Sequence, residues 1–371
     1  MKKRSVALLL SLCFLFSLVG CGNPSTDRSS ESSSAMSSAH SSESSEAERS
    51  SPESSEAESP SASSLVSEDD AEGSPLEEAG PVRVAALKGP TAMGMIQLAD
   101  NDAYEFSLYP SADEVTPKII QGEVDIAAVP ANLAAILYQK TQGGVTALDI
   151  NTLGVLYILE NGNSVQSVAD LRGKTIFASG KGSVPEYALN YMLSENGIDP
   201  QTDVTIEFKS EHTECVAALT TTENAVAMLP QPFATVAQKQ NDGIEIVLDM
   251  TKEWEALADG NDVTLVTGVT LVRTQFLSEN PEAVRQFLAD HAASVDFVNG
   301  DPVQAAPLME AQDIVPAPVA ETAIPLCNIR CITGPALKAQ LSTYLAVLAD
   351  QNPEAVGGSL PGDDFYCDLD A

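Results

Sequence analysis

From Pro81 onward, short β-branched runs alternate with segments of helical periodicity, and this alternation narrows the fold more than any other feature of the chain. Residues 82–87, 104–109 and 125–129 read as strands. Helical patterns follow each of them: one from Gly89-Pro90 through Leu98, one from Ser111, and one over 133–139. A second block starts after Lys174, with strands at 175–178, 204–208, 225–229 and 244–248 and helices at 184–193, 214–219 and 233–239. Strand–helix–strand spacing of this kind implies right-handed crossovers and parallel pairing. Two long apolar runs, 145–160 and 263–272, read as crossings between the blocks, and the chain then turns helical at 281–298, 303–312 and 335–348. The expected fold class is α/β: two βαβ lobes joined by a two-strand hinge, with a ligand cleft between them. The first lobe takes residues 81–160 plus 263–371 and the second 161–262.

The start of the chain is of a different kind. Lys2, Lys3 and Arg4 precede an apolar stretch over 6–19 that is short for a membrane span, and Leu18-Val19-Gly20-Cys21 follows at once. Residues 1–21 thus read as a lipoprotein signal ending at the lipobox Cys21, whose sulfur would carry the lipid. An ordinary secretory signal is the alternative. Residues 22–80 hold 22 Ser, 14 acidic residues and two Arg. Such a stretch buries too little apolar area to offset its chain entropy, so it reads as a disordered tether.

Charge matters only once partitioned. The 371 residues carry −34 in all; residues 1–21 contribute +3 and 22–80 contribute −12, which leaves −25 for 81–371. A domain this acidic has no basic face for a phosphate backbone, so nucleic acid is excluded as a partner. Three His and six Cys are sparse material for metal centres, and neither a metal nor a cofactor is expected.

The strand-to-helix corners carry the candidate chemistry, because a helix N-terminus offers unpaired N–H groups and a partial positive charge. They are Gly89-Pro90-Thr91, Ser111-Ala112-Asp113 and Pro130-Ala131-Asn132 in the first lobe, and Ser179-Gly180-Lys181-Gly182-Ser183, Ser210-Glu211-His212-Thr213 and Pro230-Gln231-Pro232 in the second. Each alone reads as well as a plain N-cap; the weight comes from all six falling at the same end of the inferred sheets. The candidate ligand-binding residues are Thr91, Ser111, Asp113, Asn132, Ser179, Gly180, Lys181, Gly182, Ser183, Glu211, His212, Thr213 and Gln231. The 179–183 corner is the strongest, since two Gly let the backbone approach a ligand and Lys181 adds a cation. It lacks the spacing of a phosphate P-loop or a dinucleotide fingerprint.

Residues 81–365 resemble the solute-binding proteins of ABC importers, in the group serving nitrate, sulfonates, taurine and the thiamine pyrimidine precursor. The resemblance rests on the lipobox, the helix start at Ser111-Ala112-Asp113 and Gly122-Glu123-Val124-Asp125-Ile126-Ala127. It rests further on Ser167-Val168-Ala169-Asp170-Leu171-Arg172-Gly173-Lys174-Thr175 before the Gly-rich corner, and on Asn280-Pro281-Glu282-Ala283-Val284. It implies a periplasmic-binding-protein-like fold whose lobes close on a small organic or oxyanionic solute, with Thr91, Ser111, Asn132 and Ser183 lining the cleft. It also implies a monomeric, extracytoplasmic protein, held at the bacterial membrane by its lipid, that delivers the solute to an ABC permease and its ATPase. The aromatic residues that stack a pyrimidine in some relatives have no obvious counterpart here.

Cys215, Cys327, Cys331 and Cys367 permit several pairings. A Cys215–Cys327 disulfide would tie the lobes together, pairings among the other three would stay local, and free thiols are the remaining alternative. His212 and Cys215 with Cys327 and Cys331 can be written as a zinc site, but the halves lie far apart in sequence. His291 falls mid-helix among Ala and Asp and reads as a solvated residue. No G-x-S-x-G elbow supports a hydrolase, so no catalytic residue is assigned. The rival readings are an enzyme of the same fold, of the pyrimidine-precursor or menaquinone-pathway type, and a sensor module outside transport.

Overall fold

The computed structural model describes residues 80–257 and 263–369. The signal segment and, apart from Gly80, the tether lie outside the described residues. In chain order the elements are β1 (Val82–Leu87), α1 (Pro90–Met93), a 3₁₀ turn (Ile96–Asp100), β2 (Tyr104–Tyr109), α2 (Ala112–Gln121), β3 (Ile126–Pro130), α3 (Ala131–Thr141), β4 (Val145–Leu153) and β5 (Leu156–Asn161). After a short 3₁₀ turn come β6 (Thr175–Ala178), α4 (Val184–Glu195), β7 (Thr205–Phe208), α5 (His212–Thr221), β8 (Val226–Pro230), α6 (Phe233–Gln240), β9 (Ile244–Asp249) and α7 (Met250–Leu257). The chain ends with β10 (Val266–Arg273), α8 (Thr274–Glu279), α9 (Pro281–Gly300), α10 (Pro302–Ala311), α11 (Ala317–Ala323), β11 (Ile329–Ile332) and α12 (Gly334–Gln351).

Two mixed sheets result, in the orders β11-β4-β10-β3-β1-β2 and β7-β6-β8-β5-β9. The expected parallel pairing holds for β2-β1-β3 and β7-β6-β8. The apolar runs between the blocks do something else: β10 pairs antiparallel to β3 and β4, and β5 antiparallel to β8 and β9. The run over 145–160 is two strands in different sheets, so the crossing falls at Gly154-Val155 and β5 joins the second sheet. The first-lobe boundary expected at 160 lies inside β5. Gly154 permits this crossing. A Cβ there would sit 2.1 Å from Thr251 Oγ1, inside any tolerable contact.

The helix expected through Leu98 stops at Met93. The chain at Gly94 runs so close to β11 that a Cβ would meet Ile329 Cγ2 at 2.8 Å, and the segment tightens into a 3₁₀ turn beyond it. Helices cover both strand sets; one apolar cluster runs through both lobes, and three further clusters fill the remaining helix–sheet layers. Trp254, the single tryptophan, joins elements from both sheets: it packs at 4.4 Å from Tyr191 on α4 and 5.6 Å from Tyr344 on α12.

Asp125 pins the entry to β3. Its side chain is only 4% exposed and accepts from Arg83 Nε at 2.8 Å, Arg83 Nη2 at 2.6 Å and Arg273 Nη2 at 2.6 Å. The one carboxylate thereby joins β1, β3 and β10. Burial alone would raise its pKa, but the bonds from Arg83 and Arg273 more than offset that and hold it below the usual carboxylate value. Asp125→Asn leaves two guanidinium groups poorly matched and is expected to cost about 3 kcal/mol at pH 7, the low end for a buried pair because Arg83 is partly solvated. A group whose folded pKa is depressed stabilises above its unfolded value and loses that contribution as pH falls through the folded value. The gap between wild type and variant in urea unfolding should therefore narrow as pH falls below about 3.9; a gap that does not narrow at all on acidification would contradict this account.

Candidate functional site

The carboxyl ends of β1, β2, β3, β6, β7 and β8 open onto one cavity of about 610 Å³ between the two sheets. The antiparallel strands reach the same cavity from their opposite ends, so Leu156 at the start of β5 and Thr267 near the start of β10 also line it. The volume lies within the range of small-molecule sites. All thirteen candidate residues are on its wall. Thr91, Ser111, Asp113 and Asn132 stand on the side of the first sheet. Ser179, Gly180, Lys181, Gly182, Ser183, Glu211, His212, Thr213 and Gln231 stand on the side of the second.

The structure separates ordinary caps from free groups at these corners. Glu211 is a cap, forming a reciprocal capping box with Glu214 at the start of α5, and Thr213 Oγ1 donates to it. Thr91 Oγ1 donates to Leu87 O at 3.0 Å. Ser111 and Ser183 are N-caps by position only, and neither side chain makes a capping hydrogen bond. Both hydroxyls stay available beside unpaired N–H groups. The N-termini of α2, α3, α4, α5 and α6 all point their partial positive charge at this one space.

Gly180 and Gly182 have φ of 76° and 75°, a left-handed conformation that glycine adopts without strain. The resulting turn bonds Ser183 N to Gly180 O and exposes Lys181, which makes no ion pair among the described residues. Its ammonium lies 5.9 Å from the Phe208 ring. Lys88, the other lysine on the wall, is held by Asp313 at 2.8 Å. Asp113 is exposed on the first turn of α2.

Three polar atoms on the wall are buried without a hydrogen-bond partner: Asn132 Oδ1, Gln231 Nε2 and Thr267 Oγ1. Two of them belong to amides fixed by a bond at the other end. Asn132 Nδ2 donates to Gly182 O at 3.3 Å, a contact across the cavity from one lobe to the other. Gln231 Oε1 accepts from Thr235 N and Oγ1, which fixes the amide and leaves Nε2 over. A buried unsatisfied group costs about 1–3 kcal/mol, and a molecule that pairs with it removes that cost. Asn132 and Gln231 were candidates from sequence. Thr267, Phe233 and Ile314 were not: Thr267 sits inside the apolar run over 263–272, Phe233 reads as the start of a helix, and Ile314 carries no local mark of a site.

Ser179 Oγ and His212 Nδ1 share a hydrogen bond at 2.5 Å, and the imidazole lies 4.8 Å from the Phe233 ring. Although His212 keeps partial exposure to the cavity, its ring is surrounded closely enough that burial pulls the pKa down to about 4. Among the described residues no carboxylate bonds to the ring, so the pair has no orienting third member of a nucleophilic triad there. The cysteine expectations need correction. Cys215, Cys327, Cys331 and Cys367 are all free thiols. Cys215 is buried on α5, in the second lobe's cluster with residues of β8, and Cys327 in a separate apolar cluster under α10 and α11, so the Cys215–Cys327 bridge does not form. For the same reason His212 and Cys215 do not meet Cys327 and Cys331.

A family model described as the periplasmic substrate-binding protein of a phosphonate ABC transporter matches residues 98–291. No curated protein sequence matches the chain. Among solved structures, an ABC transporter protein from Parabacteroides distasonis superposes with a TM-score of 0.66 at 20% identity, over 78% of this chain and 99% of that one. The periplasmic aliphatic sulphonate binding protein SsuA from Escherichia coli gives 0.61 at 16% identity, over 78% and 92%. The periplasmic nitrate-binding protein NrtA from Synechocystis PCC 6803 gives 0.50 at 12% identity, over 64% and 68%. At these identities the likeness is one of fold.

His212 provides a test of the site's electrostatics. With a pKa of about 4 its imidazole is neutral from pH 5 upward, so it should offer an uncharged polar edge across the working range. The His212 ring signal in an NMR titration should stay in its neutral position down to about pH 5. Titration near the ordinary value of about 6.5 would overturn this.

Proposed function

The chain belongs to the family of periplasmic substrate-binding proteins of phosphonate ABC transporters, and from that footing we propose how it binds and delivers its solute. Members of the family are the extracytoplasmic substrate-binding components of ABC importers, transport proteins that work with a permease. In our reading the ligand is a small organic oxyanion that also carries a hydrogen-bond donor. It binds in the cavity between residues 80–154 plus 263–369 on one side and 155–257 on the other.

The three unpartnered atoms on the wall carry this reading. Gln231 Nε2 requires an acceptor and Asn132 Oδ1 a donor, while Thr267 Oγ1 can serve either way. Because Gln231 stands on one lobe and Asn132 and Thr267 on the other, a ligand that satisfies all three touches both lobes. Such a ligand favours the state in which the lobes are together, by its differential affinity for that state. Lys181, the free Ser111 and Ser183 hydroxyls and the helix N-termini supply the positive potential for an oxyanion. Phosphonate and sulfonate groups fit that description, and the volume leaves room for an organic substituent. The strongly acidic surface repels small anions at long range, which favours a ligand with a compensating donor or positive group over a bare inorganic ion.

The same reading covers the chain's attachment and delivery. Lipid on Cys21 would hold the protein at the membrane, acyl chains contributing roughly 0.8 kcal/mol per buried CH₂. The tether over 22–80 would let a monomeric domain reach the permease.

Thermal shift of the protein with hydroxyalkyl- and aminoalkylphosphonates, alkylsulfonates and nitrate tests the proposal. At a hundredfold excess over Kd a true ligand stabilises by about 2.7 kcal/mol, a rise of several degrees. Lys181→Ala and Ser183→Ala should each weaken binding roughly tenfold or more, through loss of charge-assisted bonds, with the unliganded melting point unchanged. If none of these compounds raises the melting point, or if both variants bind as wild type, the ligand class or the site is wrong.

A further inference from the structure

A second group of polar side chains sits inside the first lobe and takes no part in the cavity. Asp149 lies in the middle of β4, Cys331 on the neighbouring edge strand β11, and His291 on α9 where that helix crosses the sheet. One ligand atom from each lies within 4.8 Å of the other two. Asp149 Oδ2 and His291 Nδ1 are 3.2 Å apart, and both side chains are fully buried. The carboxylate is further fixed by Thr270 Oγ1, which donates to Asp149 Oδ1 at 3.0 Å and itself accepts from Asn151 Nδ2.

His291 is therefore no solvated residue. It belongs to the buried stripe of α9 formed with Val284, Phe287, Val295 and Val298. Its Nε2 has no hydrogen-bond partner. That nitrogen faces the backbone at Gly94, where a Cβ would lie 3.5 Å away. The ring thus forgoes one bond and turns its other nitrogen to Asp149. Cys331 is the only one of the three that solvent reaches. Burial, then the carboxylates of Asp149 and Asp296, push its thiol pKa upward, so at neutral pH the thiol keeps a proton that a bound cation would displace.

We propose that Asp149, His291 and Cys331 form a binding site for a divalent ion of the zinc class, which clamps β4, β11 and α9 together. One nitrogen, one sulfur and one oxygen donor suit borderline Zn²⁺ better than the hard cations, which require oxygen, or Cu(I), which prefers sulfur. Tetrahedral Zn²⁺ with bonds of roughly 2.0–2.3 Å separates its ligand atoms by about 3.3–3.7 Å. The Asp149–His291 distance of 3.2 Å is slightly short of that edge, and the sulfur edges, at most 4.8 Å, need to shorten by about an ångström at most. Binding converts Cys331–SH to the thiolate, with the proton released to solvent. The site lies off the cavity wall, so it stands apart from the solute proposal.

The test is titration of the chelator-treated full chain with zinc sulfate against a chromophoric chelator, and with Co²⁺ followed by absorbance. One equivalent of zinc should bind, with a raised melting point, and Co²⁺ should give a thiolate charge-transfer band in the near ultraviolet. Cys331→Ser should weaken zinc by at least about tenfold and abolish the band, whereas Cys367→Ser should change neither. Absence of saturable zinc binding, or a band that survives Cys331→Ser, overturns the site. Should the variant misfold, alkylation of Cys331 in the wild type gives the same answer: zinc should protect it, and alkylation at an unchanged rate refutes the proposal.

Discussion

The chain's crossing between sheets at Gly154-Val155 is the constraint from which the rest of the architecture follows. β4 ends on the cavity side of the first sheet, and within two residues β5 begins on the cavity side of the second. Both sheets must then present the carboxyl ends of their parallel strands to the same space. That is why α2, α3, α4, α5 and α6 aim their N-termini there. It is also why β5 and β10 run antiparallel to their neighbours. Gly154 is required because Thr251 fills the place of a side chain. A bulkier residue would push the lobes apart at the point where their mutual position is set.

Much of this was legible in the sequence because it is written locally. Period-two runs, glycine punctuation and small polar residues at helix starts each depend on a few neighbours, and they located all six corners. The capping question was not legible. Ser111, Ser183 and Glu211 look alike as helix starts, yet only Glu211 spends its side chain on the helix. Whether a hydroxyl is used as a cap depends on rotamer and on what stands opposite, and opposite stands another lobe.

The residues missed share a different cause. Thr267 lies in an apolar strand whose register is fixed by pairing with β3 and β4, more than a hundred residues earlier in the chain. Its place on the cavity wall exists only after an antiparallel insertion that a pattern of alternating strands and helices does not foretell. Phe233 read simply as the start of a helix. Its role against His212 follows from two corners meeting in space. His291 is a different case, because its position on the stripe 284-287-291-295-298 is a helical-period signal. Its Ala and Asp neighbours in sequence outweighed that stripe, and the stripe was right.

The cavity wall and the buried Asp149–His291 pair show the same physics with different consequences. Each keeps polar atoms out of water without pairing them all, which lowers the stability of the empty protein. At the cavity those atoms come from both lobes, so whatever satisfies them also draws the lobes together, and the cost becomes a preference for the liganded state. At Asp149 and His291 all the groups belong to one lobe; an ion held there would leave His291 Nε2 unpaired and could only stiffen that lobe. The distribution of unpaired groups across the hinge separates a site that can drive closure from one that can only hold a sheet in shape.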